Sequence, residues 1–165
     1  MRTVAIIVLA ATVGLVLQST AVQVLRLDAA VPDVLLVLCV YLGLRYHTVG
    51  GAIGAFALGY AEDSVSGGAV GLNAFAMSAA FLLVYLTSRR LWVDNMLSKV
   101  VVVLLASLVK IAAVTILFAV FLAPEQIWGA TVGSLALQSV LTAALGPPLL
   151  AILASTERLA EEEAE

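Results

Sequence analysis

Hydrophobic residues fall into six runs along the chain: Val4 to Leu25, Val34 to Leu44, Val49 to Ala61, Val70 to Leu86, Val100 to Leu122 and Ile127 to Leu153. The breaks between them are short and polar, or carry glycine and proline: Arg26 to Pro32, Arg45 to Thr48, Glu62 to Gly68, Ser88 to Lys99, and Ala123 to Gln126. Runs of this length and spacing predict an all-α membrane protein, a bundle of six transmembrane helices over about 3-25, 33-45, 48-62, 70-88, 99-122 and 127-154. In hydrocarbon only a helix or a closed barrel satisfies every backbone amide, and the runs suit helices. Residues 1-156 then form a single transmembrane domain, and 157-165 an acidic cytoplasmic tail. Arg2 before an apolar stretch that reaches Ser19-Thr20-Ala21 has a weak resemblance to a secretory signal. We read residues 3 to 25 as a retained first helix.

The break at Arg45-Tyr46-His47 decides between six helices and five. One long helix over residues 34 to 61 would hold Arg45 near its centre, which costs roughly 2.5–3.5 kcal/mol on insertion scales. With six helices and a cytoplasmic N-terminus, Arg2, Arg45, Arg89, Arg90, Lys99 and Arg158 lie inside and Arg26 alone lies outside, which satisfies the positive-inside rule. A five-helix arrangement strands Arg2 outside and buries Arg45. Both termini are therefore expected in the cytoplasm. Helices two and three, at about thirteen residues or about 20 Å each, fall short of a hydrocarbon core of roughly 30 Å. Non-helical backbone at that depth needs shielding by protein or a water-filled cavity, so Glu62 to Gly71 is expected to be a re-entrant loop.

Composition agrees with this pattern and narrows the chemistry. The chain is 63% hydrophobic and 12% charged, with a mean hydropathy of +1.14. Its net charge of -3 comes largely from Glu161, Glu162, Glu163 and Glu165 at the end of the chain, which gives nucleic-acid binding no support. One cysteine, Cys39, and one histidine, His47, supply neither an internal disulfide nor a soft-ligand metal site. No nucleophile–base pair or carboxylate dyad suggests catalysis, and no cofactor is expected.

Two patterns concern packing. Gly50 and Gly54, beside the ladder Gly51, Ala55 and Gly59, are spaced for close helix contact, and Gly129 and Gly133 repeat the spacing in the last helix. These faces are read as internal packing, with docking of a partner helix as the alternative. Pro147 and Pro148 after Gly146 are expected to kink or end the last helix, because each lacks an amide donor and its ring clashes with the preceding turn.

Lys110 lies mid-helix, about 16 Å along the axis from Lys99, too deep to reach either surface easily. Asp33 and Asp63 both fall about 20 Å from the cytoplasmic face, within a lysine's reach. Asp33 or Asp63 is therefore expected to pair with Lys110, in a polar layer with Asn73 and Gln138; the alternative is an ion pair that only fixes helix register. The densest motif is Asp63-Ser-Val-Ser-Gly-Gly-Ala-Val-Gly-Leu-Asn-Ala74. Asp63 and Ser66 are suited to cap amides there, and Gly67, Gly68 and Gly71 to allow positive φ.

With these residues in view the chain resembles the MreD family of rod shape-determining membrane proteins. The likeness rests on Pro32-Asp33, the apolar run to Tyr41 and Arg45, the glycine-rich short helix, and then DSVSGGAVGLNA, in the family's order and over the whole length. Asp63, Ser66, Gly67, Gly71, Leu72 and Asn73 occupy the family's characteristic places; Asn73 stands where histidine is frequent, which argues against a titratable role at that position.

The resemblance implies a non-enzymatic scaffold of the cell-wall elongation machinery in the bacterial inner membrane. It implies binding to the transmembrane helix of MreC, and links to RodA, its penicillin-binding transpeptidase and MreB. It also implies a bundle similar to the substrate-binding subunits of energy-coupling-factor vitamin transporters. The competing reading is a small-molecule transporter subunit whose pocket is lined by Asp33, Asp63 and Lys110.

Overall fold

A computed structural model of the protein describes residues 2–25, 31–46, 48–66, 71–90, 95–121 and 130–162. Among these residues there are six helices: α1 (Arg2–Leu25), α2 (Val34–Arg45), α3 (Val49–Ser66), α4 (Leu72–Arg90), α5 (Met96–Phe121) and α6 (Ala130–Glu162). Three of them hold stretches long and apolar enough to cross a membrane, Leu72–Arg89, Leu97–Leu117 and Leu137–Thr156; Ile7–Thr20 and Val34–Arg45 are shorter apolar stretches.

The shortest helix is the centre of the bundle. Every residue of α2 from Leu35 to Gly43 is buried, and a helix that is apolar on all sides must be surrounded on all sides. All five other helices pack against it, with Met77, Ala80, Phe81 and Val84 of α4 and Val102, Val103 and Ala106 of α5 completing the core. Cys39 is fully buried and its thiol donates to the Met77 carbonyl at 3.3 Å.

The most extensive helix contact is α3 on α4, and glycine makes it possible. A Cβ on Gly59 would stand 2.5 Å from the Ala74 Cα, and one on Gly51 would stand 2.5 Å from the Tyr46 carbonyl. Ala55 between them is fully buried. The ladder 51, 55, 59 is therefore the packing face. Gly50 is not: a Cβ there would meet only the Thr48 hydroxyl at 3.6 Å, so the expectation of internal packing fails at Gly50, whereas a Cβ on Gly54 would stand 3.1 Å from the Leu42 Cδ1 of α2.

Three other expectations need correction. Helix α3 does not end near residue 62; it runs 18 residues, to Ser66, so Glu62 and Asp63 are helical and the connection to α4 is shorter than the re-entrant loop from Glu62 to Gly71. Gly71, in the turn before α4, has φ +99, the left-handed conformation that glycine tolerates. Pro147 and Pro148 do not end the last helix, since α6 is continuous from Ala130 to Glu162; it also absorbs most of the segment expected as a separate tail. Gly67, Gly68 and Gly129 lie outside the described residues, as does His47; Gly133 lies in α6.

Candidate functional site

Helix α2 starts inside the bundle, and its exposed amides need partners. Asp33 supplies one as N-cap, its Oδ1 accepting from the Leu36 amide at 2.9 Å, while its own amide donates to the Thr142 hydroxyl of α6 at 2.9 Å. Thr142 in turn donates to the Gln138 carbonyl at 2.7 Å. A carboxylate at this position also faces the positive end of the α2 dipole.

The other oxygen of Asp33 accepts from the Lys110 ammonium, at short range. Lys110 also donates to both oxygens of Glu62, each at 2.8 Å. The ammonium thus meets three carboxylate oxygens from two helices, one for each of its hydrogens. Formally, one cation faces two carboxylates and leaves one negative charge in excess. Lys110 and Asp33 are buried and the Glu62 side chain is 17% exposed.

Asp63 does not take part. It is 2% exposed and its carboxylate accepts from the amides of Gly71 at 2.8 Å, Asn73 at 3.0 Å and Ala74 at 3.2 Å, capping the start of α4. The motif therefore closes the α3–α4 connection, and Glu62 takes the position by Lys110 that was expected of Asp63. Adjacent helical residues point about 100° apart, so only one of the two can face α5. A helix prolonged by one turn in the sequence reading would have brought Glu62 forward. The Ser66 hydroxyl donates to the Asp63 carbonyl at 3.4 Å, and the amides of residues 67–70 that it was expected to cap lie outside the described residues.

Around the triad lies a cavity of about 110 Å³, with room for several waters or a small polar group. Asn73 and Gln138 line it, and Ser107, Ser139 and Thr142 add hydroxyls that the sequence did not single out. Among the described residues no three or more His, Cys, Asp or Glu side chains are grouped to hold a metal ion.

Glu62 also borders a second space. Helices α1 and α3 touch only slightly, and between them runs an open groove over α2. Its apolar part, about 420 Å³, is lined by Ile7, Val8, Ala11, Thr12, Leu15 and Val16 of α1, by Gly50, Gly54, Ala57, Leu58 and Ala61 of α3, and by Leu42 of α2. Through Leu15 it continues into about 310 Å³ lined by Gln18, Ser19, Leu35, Glu62, Val65 and Ser66. Gly50, Gly54, Ala57 and Ala61 are spaced by four, three and four residues, as are Val8, Thr12, Leu15 and Ser19, so each wall presents the straight seam of a coiled-coil helix.

Searches of curated proteins and of solved structures each gave no match. A comparison with protein families matches residues 1–156 to the family described as rod shape-determining protein MreD. That match lends no support to a transporter subunit. Nearly the whole chain is covered, its helices are those of a membrane protein, and the chain belongs to the MreD family of rod shape-determining proteins.

Proposed function

We propose that this protein is a non-enzymatic membrane scaffold of the cell-wall elongation machinery, and that it holds the transmembrane helix of MreC in the groove between α1 and α3. The observation that carries the reading is the groove itself. It is one helix-facing seam on each side, its α3 wall is made of glycine and alanine that admit a close backbone, and its α1 wall stays exposed, with Val8 and Val16 at 58% and 56%. In lipid, association rests on packing of this kind rather than on a hydrophobic driving force.

In the same reading the bundle lies in the bacterial inner membrane with both termini in the cytoplasm, supported by the lysine and arginine distribution of the loops. Its arrangement is related to the energy-coupling-factor substrate-binding subunits. Through MreC it connects to RodA, the penicillin-binding transpeptidase and MreB.

Disulfide trapping tests the groove. Thr12→Cys, Ala57→Cys and, on the far side of the bundle, Leu82→Cys are each co-expressed with MreC carrying single cysteines along its helix. Cys39 is fully buried and does not compete. Crosslinks at 12 and 57 that recur every three or four MreC residues, with none at 82, are expected. Crosslinks confined to 82 would place the partner elsewhere.

A further inference from the structure

The groove changes character along its length. At the Gly50 end it is apolar, whereas at the other end it is bordered by Glu62, Gln18, Ser19 and Ser66. Two features there are unfinished. The Gln18 Oε1 is inaccessible to solvent and, among the described residues, has no hydrogen-bond donor. Glu62, which faces the groove on one side and Lys110 on the other, belongs to a triad with one negative charge in excess. A buried acceptor without a donor and a buried carboxylate that must share its counter-charge with a second one are both costly, the more so with lipid nearby.

A single addition would satisfy both. We infer that the helix docked between α1 and α3 carries a lysine or arginine at the level of Gln18 and Glu62, whose cation compensates the triad and toward which the Gln18 side-chain amide turns its oxygen to accept. This rests on the groove being a helix seat, and it names the chemistry of the occupant. The small residues of α3 set how close the helix comes; the basic side chain sets its register along the groove, because moving it one turn, about 5.4 Å, would leave the cation against apolar walls. A lipid ammonium headgroup offers the same charge, but the 4-3-4 seams along both walls are matched by a rod and not by a flexible acyl chain.

The test uses the full chain with Ala57→Cys in phosphatidylcholine vesicles, whose headgroup cannot donate a hydrogen bond. The probe is a single-span leucine/alanine peptide with one cysteine, and a lysine or a leucine five residues to either side, since Glu62 lies about 7.5 Å along the axis from position 57. The lysine peptide is expected to crosslink at least tenfold more than the leucine peptide. That advantage should fall toward unity with Glu62→Gln and shrink several-fold with Gln18→Leu, a change outside the triad that keeps the inference testable should Glu62→Gln unfold.

Equal yields from the two peptides overturn the inference and leave the groove as a helix seat. Failure of both peptides, together with failure of MreC to crosslink at positions 12 and 57, removes the seat as well. Erasure of the lysine advantage by added phosphatidylethanolamine would reassign the charge to a lipid headgroup and overturn the inference.

Discussion

Replacing Lys110 with methionine keeps the volume and deletes the cation, so it isolates what the triad contributes. Three charge-assisted hydrogen bonds vanish, and Asp33 and Glu62 are left facing each other with no counter-ion. Breaking a buried ion pair by removing one partner costs roughly 3–5 kcal/mol. At about 2–4 °C per kcal/mol for a chain of this size, Tm should fall by roughly 6–20 °C. Cys39 provides the readout: it is fully buried and is the sole cysteine, so a thiol-reactive fluorophore lights up only when the bundle opens. Asp33→Asn then completes a double-mutant cycle. Each single change already breaks the same bond, so the double variant should be less destabilised than the sum by about 0.5–3 kcal/mol. The control is Lys110→Met with Asp63→Asn, which share no hydrogen-bond partner and should add to within about 0.5 kcal/mol. Additivity with Asp33 and coupling with Asp63 would refute the assignment of partners.

Three further outcomes follow from the packing. Gly59→Ala forces a Cβ to 2.5 Å from the Ala74 Cα and should lower Tm by several degrees in the same thiol assay, whereas Gly50→Ala, with only a hydroxyl at 3.6 Å, should hold or raise it and instead weaken disulfide trapping of MreC. Asp63→Ala leaves three amides without an acceptor, at about 1–3 kcal/mol for each that stays dry; hydrogen exchange should speed up at Gly71, Asn73 and Ala74 before the rest of α4. Cys39 should resist maleimide in the native protein and react at the rate of unfolding, so fast labelling without denaturant would contradict the central position of α2.

Much of this architecture was legible from apolar run lengths, because hydrocarbon leaves the backbone so few options. All six helices, the short α2 among them, could be read this way, as could the pairing of Asp33 with Lys110; that α2 stands at the centre could not. Helix ends were harder. Glu62, Asp63, Ser64 and Ser66 look like loop residues, yet α3 continues through them because the Asp63 carboxylate is consumed by the amides of the next helix. One misjudged turn exchanged the roles of Glu62 and Asp63. Proline was misleading at positions 147 and 148, where α6 continues; neighbouring helices can re-satisfy backbone groups that a proline frees. The two glycine registers of α3 were visible but not their assignment, since periodicity alone cannot tell which of two adjacent faces meets α4.

Helix α3 settles how the parts are joined. Gly51, Ala55 and Gly59 lock it to α4 and Glu62 ties it to α5, so this wall of the groove is fixed by the core. The opposite wall, α1, is held to the start of α2 at Gly14, where an added Cβ would stand 2.9 Å from the Val34 Cγ1. Gly14→Leu should therefore push α1 away from α2 without altering a single residue that lines the groove. Disulfide trapping of MreC should drop severalfold at Thr12→Cys while persisting at Ala57→Cys, and Tm should change less than for Gly59→Ala because α1 lies at the edge of the core. If trapping at both positions is unchanged, α1 is not a wall of the docking site and the partner rests on α3 alone.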